Sequence, residues 1–341
     1  MALRQTEIET GVVAGLPGRN TRLTVFRGIP YAAPPVGERR WRAPEPAEKW
    51  DGVYKAYYLD TGAPQLIEEE TPFYRREFHY DLPQKISEDC LRLNVFTPAA
   101  QPGEKRPVML YLHGGGFETG FSFEPEYDGE GLAKRGVVVV FADYRLGILG
   151  FLAHPELSAE SGGHSGNYGL MDQIFALHWV RRNIAAFGGD PDRITIFGQS
   201  AGAMSVMSLL CSPLVKAGDI VGAIPQSGGG YVNDRVPFSY SFSPLEQAEA
   251  QGEAVLRAHG VDSIAAARAL PVEELLAIQK AAAPARFWPC IDGLVLTRTI
   301  GRSIEAGEYQ HVPILLGSNG DESGLDYEDK TAHFSAALVQ A

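Results

Sequence analysis

Residues 194–207 restrict the fold of this chain more than any other stretch. The β-branched run Ile194-Thr195-Ile196 leads into Gly198-Gln199-Ser200-Ala201-Gly202, and the helix-prone Ala203-Met204-Ser205-Val206-Met207 follows at once. A strand that turns directly into a helix leaves its turn residue in a strained backbone conformation, with the side chain projecting from the sheet edge. Glycines on both sides of that residue are needed because strand and helix approach too closely there for a Cβ. The pattern predicts a strand, a sharp turn carrying Ser200, and a helix, which makes Ser200 a candidate nucleophile. A Gly/Ser turn that merely caps a helix is the other reading of these five residues.

A β/α rhythm surrounds this element. Leu93 to Phe96, Val108 to Leu112, Val137 to Ala142, Ile194 to Phe197, Val221 to Pro225 and Val312 to Gly317 are short apolar runs bounded by turn residues. Runs of this kind read as buried parallel strands. Leu170, Ile174, Leu177, Val180 and Ile184 recur at helical spacing, so residues 168–186 are expected to form a helix ending before Gly188. Residues 246–257 and 272–280 read as further helices. Residues 8–55 alternate around Gly/Pro turns and predict antiparallel strands, whereas 56–88 read as a long surface loop. The expected fold is α/β: a doubly wound, mostly parallel sheet with an N-terminal antiparallel portion and inserted helices. No internal repeat or flexible linker interrupts the 341 residues, so a single domain, 1–341, is expected.

A formal charge of −12, with no basic run longer than two residues, argues against nucleic acid and anionic membrane as partners. The longest strongly apolar run, Val137 to Ala142, is too short to span a bilayer, and the first ten residues lack an apolar leader core. The cysteines, Cys90, Cys211 and Cys290, are scattered and odd in number, which fits a reducing compartment. A cytoplasmic location is expected. No Cys/His cluster has metal-ligand spacing, so neither metal nor cofactor is expected.

Acyl transfer through a serine requires donors for the oxyanion, a base, and a group that orients the base. His113-Gly114-Gly115-Gly116-Phe117 follows the predicted strand Val108 to Leu112, and consecutive glycines let backbone N–H groups turn inward. A phosphate cradle is the alternative, but no Gly-Lys-Ser/Thr follows and G-x-G-x-x-G spacing is absent. His113 is expected to pack or hydrogen-bond beneath this loop.

Phe187-Gly188-Gly189, then Ile194-x-Ile196-x-Gly198-x-Ser200-Ala201-Gly202, resembles the serine signature of type-B carboxylesterases, the cholinesterase-like branch of the α/β-hydrolases. Glu88-Asp89-Cys90-Leu91-Arg92-Leu93-Asn94-Val95-Phe96-Thr97-Pro98 is similar to the family's second signature. Phe26 to Gly37, Asp143 to Gly147, Gly166 to Asp172 and Ile291-Asp292-Gly293 match further landmarks in order, from about residue 10 to about residue 325. The resemblance implies an α/β-hydrolase cleaving small-molecule carboxylic esters through an acyl-enzyme on Ser200. It implies an oxyanion hole from the N–H groups of Gly115, Gly116 and Ala201, and it implies Glu322, in Ser318 to Ser323, as the catalytic acid. Asp321 beside it is the other candidate. Ser227 resembles a serine supporting that acid, or is a turn residue, and Phe287-Trp288 could line an acyl pocket or be plain core. Gln199 stands where many relatives carry Glu, which implies weaker attraction for cationic alcohol groups. In secreted members the cysteine matching Cys90 closes a disulfide; no cysteine precedes it here, so Cys90 is expected to be a small buried residue.

The family's catalytic histidine follows a further strand well after the acid. His333 lies too near Glu322 to fill that role, and the C-terminal third of the fold, with the histidine, is expected to be absent from the 341 residues. The resemblance leaves two functions open, an ester hydrolase and a catalytically dead binding or adhesion module. Oligomeric state and the particular ester are not implied.

Overall fold

The structure, a computed structural model, describes residues 2–66, 85–124, 127–228 and 242–319. Its centre is a 7-stranded sheet. The strands are β1 (Leu16–Pro17), β2 (Thr24–Pro30), β3 (Arg92–Thr97), β4 (Arg106–Leu112), β5 (Val138–Ala142), β6 (Gly189–Gln199) and β7 (Gly222–Gln226). Their spatial order is β7-β6-β4-β5-β3-β2-β1. The pairings β5–β4, β4–β6 and β6–β7 are parallel; β1–β2, β2–β3 and β3–β5 are antiparallel. The expectation of a parallel core joined to an antiparallel N-terminal part holds, with one correction. Leu93 to Phe96 lie in a strand antiparallel to both neighbours. A run buried on both faces is apolar whichever way it points, so composition carries no direction.

Burial on both faces explains the unbroken apolar runs. Phe96, Tyr111, Phe141 and Phe197 face one core cluster, while Val95, Leu110, Leu112, Val140 and Ile196 face the other. The larger cluster is covered by α1 (Tyr168–Asn183) and α2 (Ala201–Cys211), and includes Trp179, Leu177, Val206 and Leu209. It extends without a break from Ile8 to Ile300. The helix expected over 168–186 stops at Asn183 and tightens into a 3₁₀ turn, Ile184–Phe187, which Gly188 closes in the left-handed region at φ 80°. The expected helices over 246–257 and 272–280 are α3 (Leu245–Ala258) and α5 (Val272–Ala281), with the unforeseen α4 (Ile264–Ala269) between them.

The segment Val312 to Gly317 departs from expectation. It meets β7 in parallel through isolated bridges, Ala223 with Ile314 and Gln226 with Gly317. Ile314, Leu315 and Leu316 are 42%, 67% and 62% exposed, so the segment is not a buried strand. It lies on the outer edge of the sheet, where no other described residue covers it. The expected loop over 56–88 contains a short parallel bridge, Thr61–Gly62 with Lys85–Ile86; 67–84 lie outside the described residues. Cys90, Cys211 and Cys290 are free and buried. Among the described residues no helix is long and apolar enough to cross a membrane.

Candidate active site

Three strand ends converge where β6 runs into α2. Phe197 and Gly198 pair with Tyr111 and Leu112 of β4, and Gln199 pairs with Gln226 of β7. Ser200 stands between strand and helix at φ 56° and ψ −122°, a conformation that an L-residue adopts only at a cost. The Ser200 N–H donates to the Gln226 carbonyl at 2.9 Å, its carbonyl accepts from the Met204 N–H at 3.0 Å, and its hydroxyl makes no cap bond. The flanking glycines are steric necessities. A Cβ at Gly198 would lie 2.6 Å from the Leu112 oxygen, and one at Gly202 would lie 2.1 Å from the same atom. The capping reading of this turn therefore fails, because the serine side chain makes no cap bond.

The glycine loop leaves β4 beside this serine. A Cβ placed on Gly114 would come within 3.3 Å of the Ser200 Cβ. Gly115, Gly116 and Phe117 follow at φ 100°, 64° and 61°. Successive residues in the left-handed region turn their amides toward one side, a concavity suited to an anion. Among the described residues the Gly115 and Gly116 amides donate no hydrogen bond. Phe117 holds the strained loop in place: its side chain is wholly buried against Phe151, Phe242 and Trp288, and its carbonyl accepts the Gly147 N–H at 2.7 Å.

The landmark Asp143 to Gly147, which carried no assigned role in the sequence, is the scaffold of this loop. Asp143 accepts the Ser122 N–H at 2.6 Å and the Ser122 hydroxyl at 2.8 Å, pinning the exit of the loop. Tyr144 stacks on the His113 ring at 4.3 Å, and its hydroxyl donates to the His113 carbonyl at 2.8 Å. Arg145 forms a buried two-pronged pair with Asp172 of α1, at 2.7 and 2.8 Å. Gly147 holds Phe117, as above. Burial pushes the Asp143 carboxyl up to about 7, against the lowering effect of the Ser122 bonds. Burial also lowers the His113 imidazole to about 4, so it is neutral at physiological pH. His113 Nδ1 donates to the Gly114 carbonyl at 2.8 Å, as expected of a histidine beneath the loop.

The remaining candidates divide. Ala201 opens α2 directly after Ser200, where a helix leaves its first N–H groups without intrahelical partners. Ser227 sits at φ 53° after β7 with its N–H on the Gly317 carbonyl at 2.8 Å, which brings Ser318 and Asn319 to the same strand ends. Glu322, Asp321 and His333 lie outside the described residues. Phe287 is buried and Trp288 half-buried; Trp288 borders a cavity of about 290 Å³ with Phe151, Phe242, Ala285 and Arg286. The exposed Gln199 carboxamide lies against Gly114, within 3.3 Å of where a Cβ would stand. No described group of His, Cys, Asp or Glu is arranged to hold a metal.

Comparisons against known proteins bear on the family and the fold. The chain is 40% identical over 331 residues to fumonisin B1 esterase of Sphingopyxis macrogoltabida, covering 94% of this chain and 56% of that one. It is 38% identical to para-nitrobenzyl esterase of Bacillus subtilis, with 93% and 63% covered, and 37% identical to mouse cholinesterase, with 92% and 53% covered. A crystal structure of a Geobacillus stearothermophilus carboxylesterase superposes with a TM-score of 0.80 at 37% identity, covering 98% of this chain and 66% of that one. The chain thus spans between about half and two thirds of the length of these relatives. The fold is that of the α/β-hydrolases. The model of the carboxylesterase family matches residues 3–337, and the chain belongs to that family.

Proposed function

We propose that this chain carries the nucleophile and oxyanion hole of a serine carboxylic-ester hydrolase, within one α/β-hydrolase domain. The observation that carries the reading is Ser200, held at positive φ with no side-chain cap bond, beside two amides that donate to no described residue. Ser200 Oγ attacks the ester carbonyl carbon, and the carbonyl oxygen takes up negative charge facing the N–H groups of Gly115, Gly116 and Ala201. Collapse expels the alcohol and leaves an acyl-serine, which water then hydrolyses. Preorganised amides suit this step because they need no reorientation as charge develops; one such donor is worth about 3 to 4 kcal/mol. Glu322 is assigned to orient the base. Small-molecule carboxylic esters are the substrate class, in keeping with the esterases named above.

The base itself is a histidine outside the described residues. Each described histidine is engaged elsewhere: His113 with Gly114, His154 capping Glu156, His164 with Asp292, His178 with Asp219, His259 with Val255 and His311 with Gly307. A fluorophosphonate probe tests the reading because it reacts with an activated serine in a single step. In the complete protein, base included, Ser200 is expected to be labelled and Ser200→Ala to be silent. Complete protein that stays folded and unlabelled would favour the binding-module alternative.

A further inference from the structure

We propose that the oxyanion loop is aimed by two side-chain clamps, and that Thr119 is a positioning residue for it. The inference rests on the hydrolase reading above. In a planar trans peptide the C=O and the following N–H point in opposite directions, so holding a carbonyl on one side directs its amide to the other. The two amides assigned to the oxyanion follow the carbonyls of Gly114 and Gly115, and both carbonyls are tethered. The Gly114 oxygen accepts His113 Nδ1–H at 2.8 Å. The Gly115 oxygen accepts the Glu118 N–H at 3.1 Å, the Thr119 N–H at 2.9 Å and the Thr119 hydroxyl at 3.1 Å. A carbonyl held by its clamp fixes its peptide plane, and with it the direction of the Gly115 or Gly116 N–H.

Neither glycine can hold this orientation alone. With φ at 100° and 64°, both occupy backbone regions that a glycine leaves readily, and a peptide flip there would present a carbonyl dipole to the developing oxyanion. The inner clamp is secured by burial, since His113 is 1% exposed and stacked on Tyr144. The outer clamp sits at the exposed rim and depends on a hydroxyl that a β-branched residue holds in few rotamers. Thr119 touches no reacting atom. It acts through the Gly115 carbonyl on the Gly116 amide.

Thr119→Val keeps the backbone N–H and the side-chain shape while deleting the hydroxyl. One neutral hydrogen bond corresponds to a change of about three- to tenfold, so the maximal rate of fluorophosphonate labelling is expected to fall by that factor. The concentration for half-maximal rate should stay the same, and Thr119→Ser should restore the rate. Labelling of Thr119→Val at the wild-type rate would overturn the proposal, as would a loss that Thr119→Ser fails to repair. The order parameter of the Gly116 N–H, from NMR relaxation, decides the matter even if the wild-type serine proves unreactive. A value lower in Thr119→Val than in wild type and Thr119→Ser supports the clamp; equal values reject it. With these variants made in the complete protein, base included, an unreactive wild type would count against the hydrolase reading alone.

Discussion

Two buried groups under the oxyanion loop titrate in opposite senses. The His113 imidazole, lowered by burial to about 4 from 6.5, refuses a proton that the unfolded chain takes up between those values. Its contribution to stability is therefore lost as pH falls from 6.5 to 4, by about 3 kcal/mol in all. Asp143, raised by burial from 3.8 to about 7, keeps a proton that the unfolded chain releases, so its contribution is lost as pH rises through that window. Wild-type stability is expected to change little between pH 4.5 and 6.5. His113→Asn should gain stability on acidification and Asp143→Asn should lose it, as read by urea unfolding at several pH values. Parallel profiles for the two variants would refute this assignment. Ser200 and the glycines were legible in the sequence because a strand-to-helix turn is a local requirement written in adjacent residues. The Asp143–Ser122 and Tyr144–His113 contacts were not, since they join residues far apart in the chain whose meeting depends on how β4 and β5 pair.

Between elements, the pair Arg145–Asp172 fastens the end of β5 to α1 with side chains 3% and 0% exposed. Removing one partner strands the other charge in the core, whereas replacing both with apolar groups removes the desolvation cost as well. Arg145→Met should destabilise the fold by about 3 to 5 kcal/mol, and Arg145→Met with Asp172→Leu should recover most of that loss in chemical denaturation. Additive losses in the double variant would show that the two charges do not act as a pair. The helices were readable from periodicity where they are long, as in α1 and α3. The short α4 escaped because its sequence, Ile264-Ala-Ala-Ala-Arg-Ala269, has too few turns to show a period. The direction of β3 was unreadable for the reason given above, that two-sided burial erases alternation.

The sheet as a whole is asymmetric at its margins. On the β1 side it ends in a strand of two residues, Leu16–Pro17, too short and too proline-bound to recruit a partner. On the β7 side, Ile314, Leu315 and Leu316 leave an apolar, strand-like edge open among the described residues. Such an edge pairs with other chains. The 341-residue chain is expected to self-associate with rising concentration in light scattering, and Leu315→Lys with Leu316→Lys to reduce that association. A monodisperse wild-type monomer would argue that the edge is covered. The strand order carries a temporal consequence too. Reading across the sheet from β1, the strands arrive as β1, β2, β3, β5, β4, β6 and β7, nearly the order in which a ribosome releases them. Each emerging strand finds its neighbour already made, apart from one exchange in the middle. The glycine loop and its Asp143 to Asp172 supports are thus synthesised before Ser200, whereas Phe242 and Trp288, which bury Phe117, follow it and close the site last.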